Sequence, residues 1–140
     1  VTEQPLDDLK VANSAKRRIA IDFDETLVHW GALDELPEWK DGADEALTWF
    51  LQNGFEVIIL TSRASRTWWV QHCMATDEDI EAFGLAQLSI VHASLSQHGF
   101  QGLLVTSEKL PCLYYIDDRA IRFTDWDSIM SNLTGDNSWR

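Results

Sequence analysis

Three apolar runs in this sequence end on side chains that carry oxygen. Asp22 and Asp24 close a run that begins near Ile19, Thr61 and Ser62 follow the run 55–60, and Asp117 and Asp118 follow the run 112–116. Carboxylates that the fold gathers in one place repel one another strongly unless a cation lies among them. A set of oxygen donors alone suits a hard ion such as magnesium. The question for the rest of the chain is whether it can bring such distant residues together.

A short apolar run after a polar stretch reads as a buried strand, so the sequence predicts strands over 19–23, 55–60, 102–105 and 113–116. Residues 28–41 hold Gly31, Pro37, Trp30 and Trp39 and read as a loop or short flap. A helix is predicted over 42–53, capped by Asp41, with Ala43, Ala46, Leu47, Phe50 and Leu51 on one face and Gly54 at its stop. Further helices are predicted over 64–74, from Thr76 with Asp79 at the third position after the cap, and over 88–97. Strands alternating with helices indicate an α/β fold: a single doubly wound, Rossmann-like domain with a mostly parallel central sheet. In such a sheet the C-terminal strand ends share one edge, where ligands bind. That edge would collect Asp22, Asp24, Thr61, Ser62, Asp117 and Asp118.

The 140 residues suit one domain, here expected over 16–140 behind a loose polar tail over 1–15. The formal net charge of −12 opposes broad attraction to nucleic acid or to an anionic membrane. It leaves room for an anionic substrate where a cation and a few basic residues reverse the local field. No apolar run approaches the roughly 18 to 20 residues that span a bilayer, and VTEQPLDDLK lacks the basic start and apolar middle of a secretory leader. Cys73 and Cys112 form no CxxC pair, and a cytoplasmic location is expected. The four histidines lack the spacing of zinc ligands.

The ordered set Asp22-Phe23-Asp24-Glu25-Thr26, Thr61 after Ile-Ile-Leu, Lys109 in Glu-Lys-Leu-Pro and Ile-Asp117-Asp118-Arg119 resembles the four motifs of the haloacid dehalogenase-like (HAD) hydrolases. Most members of that superfamily are phosphatases. The resemblance frames about residues 18–123 and departs from the commonest pattern at Glu25, where many members carry Gly. It implies a magnesium-dependent phosphomonoester hydrolase in which Asp22 is the nucleophile, forming an aspartyl-phosphate. Asp24 would be the general acid and base. Mg2+ would be held by Asp22, the backbone carbonyl of Asp24, and Asp117, with Asp118 beside it. Thr61 or its neighbour Ser62 would bind phosphoryl oxygens, and Lys109 would supply a fixed positive charge. Arg63 is placed with the substrate-binding residues, either steering substrate or pairing with an acid.

Members of that superfamily often carry a cap domain inserted after the first or the second motif. Neither interval here is long enough for one, which implies no large cap domain and an open site. The expected partner is a phosphorylated substrate, either a small molecule such as a nucleotide or an accessible macromolecular phosphate, with nucleic acid only as substrate. Trp30 and Trp39 in the flap are candidate substrate contacts, whereas Trp68 and Trp69 read as packing. Alternatives are a phosphotransferase and a non-catalytic binding or regulatory module of the same fold. A receiver-type signalling domain would carry its acidic pair on the first strand, where this chain has Asp-x-Asp.

Overall fold

The computed structural model describes residues 17–136, 138 and 139, so the tail expected over 1–15 lies outside the described residues. Four strands form one sheet: β1 (Arg18–Ile21), β2 (Glu56–Leu60), β3 (Leu104–Thr106) and β4 (Tyr114–Ile116). Their order is β3-β2-β1-β4, and every pairing is parallel. Ile19 and Ile21 stand opposite Val57 and Ile59 on one side and Tyr114 and Ile116 on the other. The order reverses at β1, as in a doubly wound sheet, which opens a crevice at the C-terminal end of β1.

Alternation along β1 and β2 sends Ile19, Ile21, Val57 and Ile59 to one face. They join a continuous buried cluster with Ala43 and Leu47 of α1 (Ala43–Gln52) and Val91 and Leu95 of α3 (Asp77–Gln97), which sets both helices against that face. Ala20 and Ile58, on the opposite face, are as deeply buried. Each buried valine, leucine or isoleucine among them contributes about 1.5–3 kcal/mol, so the central strands anchor the loops that leave them. Among the described residues no helix is long and apolar enough to cross a membrane.

The helix ends differ from expectation in instructive ways. Asp41 does not cap α1. The cap position is Gly42, in the left-handed region at φ 86° with no side-chain hydrogen bond, while Asp44 and Glu45 complement the positive end of the helix. The helix expected over 64–74 is broken. Ser62–Ala64 form a single 3-10 turn, Ser65 is extended, and its side chain caps the shorter α2 (Arg66–His72). Thr76 caps α3 through Asp79, as predicted. That helix then runs unbroken for 21 residues, joining two stretches that the sequence suggested separately. Gly84 inside it lies against the Trp69 ring of α2: a Cβ there would come within 2.4 Å of the ring. A last helix, α4 (Trp126–Thr134), is capped by Asp125 and was not foreseen.

The flap is a short two-stranded stem. His29 donates its backbone N–H to the Glu38 carbonyl at 2.8 Å, and Lys40 donates to the Leu27 carbonyl at 2.9 Å. Trp39 fastens its base, with Nε1 donating to Ser94 Oγ at 2.8 Å and the ring stacked on His98 at 4.0 Å. Among the described residues no large cap domain is present.

Candidate functional site

Each strand delivers its next residues to one edge. β1 runs into Asp22, β2 into Thr61, β3 into Ser107 and β4 into Asp117, and all four line a single cavity of about 1000 Å³. The sequence marked three of these ends. The fourth was missed because β3 continues to Thr106 rather than stopping at Val105, which makes Ser107 the first residue beyond it.

At the floor, carboxylate oxygens of Asp22, Asp117 and Asp118 lie within 4.8 Å of one another. The backbone holds this geometry: the Asp22 N–H donates to the Ile116 carbonyl at 2.9 Å, tying the end of β1 to the end of β4. Thr26 Oγ1 donates to Asp22 Oδ2 at 3.3 Å, and Asp117 accepts the Arg119 N–H at 2.7 Å in a tight turn. Partial burial, then the charge of Asp117, then a hydrogen bond shared with Asp118, push the Asp22 carboxyl up from 3.8 to about 7. The donor set therefore fits a hard divalent ion, being all oxygen, closely gathered and under a repulsion that a cation relieves. Asp24 does not contribute a carboxylate to this cluster.

Asp24 lines the same cavity but gives its carboxylate to Arg63. Arg63 Nε and Nη2 donate to its two oxygens at 2.9 and 2.8 Å, a bidentate pair. Arg63 is only 1% exposed, and its Nη1 donates to Gln87 Oε1 on α3 at 3.0 Å. Gln87 in turn donates to the Leu33 carbonyl of the flap. The guanidinium lies 5.6 Å from the Phe23 ring centre and 5.7 Å from that of Trp30. Arg63, expected among the substrate-binding residues, is a buried strut and is absent from the cavity wall. Of the two roles the sequence left open, pairing with an acid is the one observed.

No family model, curated protein or solved structure matches this chain. What the site can do rests on its own residues.

The remaining expected residues all line the cavity. Thr61 is buried, its Oγ1 accepting the Arg63 N–H at 3.1 Å, and Ser62 is exposed beside it. Lys109 sits on the wall with its ammonium 4.9 Å above the Tyr115 ring. Arg119 also reaches the wall and adds a second cation near the acidic floor, its Nε 3.8 Å from Asp118 Oδ2. The tryptophans exchange roles in part. Trp39 packs at the flap base, while Trp30 and Trp68 line the cavity. Adjacent aromatics at a helix start are a weak signal, and only the Ser65 cap fixes which of Trp68 and Trp69 faces outward.

Glu25 is the one non-glycine residue at positive φ (63°) among the described residues. A left-handed conformation costs an ordinary residue roughly 1–2 kcal/mol. Its side chain offsets this by accepting the Trp30 backbone N–H and pairing with Lys40 at 3.5 Å, while Lys40 also donates to the Glu25 carbonyl at 2.8 Å. The Trp30 bond, with Lys40, lowers the pKa of the Glu25 carboxyl.

Proposed function

We propose that this protein is a phosphomonoester hydrolase of the HAD type, working with magnesium. The observation that carries the proposal is the gathering of Asp22, Asp117 and Asp118 within 4.8 Å on a cavity wall that also holds Thr61 and Lys109. Bound magnesium would neutralise charge between an anionic nucleophile and an anionic phosphate. Asp22 attacks phosphorus as the bond to the leaving oxygen breaks, and that oxygen takes a proton from Asp24. Water, giving its proton to Asp24, then cleaves the aspartyl-phosphate, releasing inorganic phosphate and restoring Asp22. Thr61 and Lys109 bind the phosphoryl oxygens. Proton transfer by Asp24 requires that one of its two bonds to Arg63 open.

The test is hydrolysis of a generic aryl phosphate with magnesium and with excess chelator, by wild type and Asp22→Asn. Turnover should need the metal and fall by at least about a thousandfold in the variant. A folded Asp22→Asn protein with wild-type turnover would sink the proposal. A second reading is favoured by the full engagement of Asp24 with Arg63: a non-catalytic module that holds magnesium and phosphate without turnover. Magnesium binding without hydrolysis of any phosphate would select it.

A further inference from the structure

The cavity is far larger than a phosphate needs, falling at the upper end of the roughly 300–1000 Å³ typical of small-molecule sites. Its upper wall is aromatic. Trp30 is 54% exposed, yet it is held from three directions: its backbone by Glu25, one ring face by the Arg63 guanidinium, and its loop by the flap stem. Trp68 is half-buried and backed by His72 at 4.0 Å and Phe83 at 5.7 Å. Trp30 is no more exposed than Trp49, but it and Trp68 line the cavity whose floor holds the carboxylates, so they offer aromatic surface to a ligand whose phosphate lies at that floor. The hydroxyl-bearing residues Ser62, Ser65 and Ser107 line the same cavity.

We infer that the leaving group is a nucleoside, and that the substrate is a free nucleoside monophosphate whose base stacks on the Trp30 and Trp68 wall. This rests on the phosphatase reading for its chemistry and on the cavity wall for its specificity. Stacking on an aromatic side chain contributes about 1–3 kcal/mol per base and tolerates any base, because each has a π-face. The serine hydroxyls suit the polar sugar that separates base from phosphate. A single phosphate also suits a protein of net charge −12 better than a polyanionic strand does.

The experiment is calorimetric titration of adenosine monophosphate and of ribose 5-phosphate, with magnesium, into Asp22→Asn protein, which reads binding independently of turnover. Adenosine monophosphate should bind at least about tenfold more tightly, the equivalent of about 1.4 kcal/mol. Trp30→Ala and Trp68→Ala in that background should each shrink the ratio, Trp30→Phe should keep most of it, and Trp49→Phe on α1 should leave it unchanged. Equal affinity for the two ligands overturns the inference, as does a ratio indifferent to both alanine variants. Phosphotyrosine amide binding as tightly as the nucleotide, with the same tryptophan dependence, also overturns it, because the sugar would then contribute nothing. Failure of the phosphatase reading shows separately, as absence of hydrolysis by the wild type.

Discussion

Asp22 carries a proton further up the pH scale than an aspartate in water, because it is partly buried and, after that, because Asp117 and Asp118 crowd it. Its folded value, about 7, lies above the unfolded 3.8, so between these values the folded state binds more protons. The contribution of this group to stability therefore falls as pH rises from about 4 to about 7 and stays low above that. Without metal, the wild type should gain thermal stability from pH 8 to pH 5 relative to Asp22→Asn, and magnesium at pH 8 should close the gap. Thermal melts of both proteins in chelator check this, and parallel pH profiles would contradict it. At this scale the carboxylates and Thr61 were legible because each ends an apolar run. Arg63 was not, since a basic residue next to a position expected to bind phosphate reads as a ligand contact. Only the fold shows Asp24, Gln87 and two rings closing around it.

Elements follow the same division. β1 and β2 announce themselves as unbroken apolar runs and sit at the sheet centre, whereas β3 and β4 have three residues each and drifted in their ends. β4 was expected as a strand from its apolarity alone; at the edge of the sheet it leaves Tyr114, Tyr115 and Ile116 exposed. Beyond it α4 places Trp126, Ile129, Met130 and Leu133 at helical spacing, so the helix was legible in the sequence although only Ile129 is buried. Gly84 reads as a weak point in α3, yet it is where α2 comes closest. Gly84→Ala gains about 1 kcal/mol of helix propensity. It also drives a Cβ into the Trp69 ring, whose Nε1 is tied to the Arg63 carbonyl at 2.6 Å. Overpacking of this kind costs about 1–3 kcal/mol. The variant should unfold at lower temperature and lose activity together, since α2 also carries Trp68; a melting point at or above wild type would show that Trp69 can step aside.

Across the whole molecule, 23 acidic residues face 11 lysines and arginines. Charge of one sign in excess works against compactness, and salt weakens it over distance. Raising ionic strength from about 0.01 M to about 0.1 M shortens the screening length from about 30 Å to about 10 Å. The metal-free protein should therefore melt higher in added sodium chloride, and a fall would mean that surface ion pairs outweigh the excess. The Arg63–Asp24 pair, with Arg63 buried and Asp24 only partly exposed, is screened less than the surface charges and joins the end of β1, the flap and α3. Position 25 then acquires a meaning beyond its local geometry. Glycine would adopt that turn freely, but it would release Trp30 and Lys40; glutamate keeps them at a standing cost to the fold. If Trp30 selects the substrate as inferred above, selection for robustness and selection for discrimination among substrates pull this codon in opposite directions. A lineage that no longer needed to choose its substrate would be expected to drift there toward glycine, gaining tolerance to mutation elsewhere as it lost its selectivity.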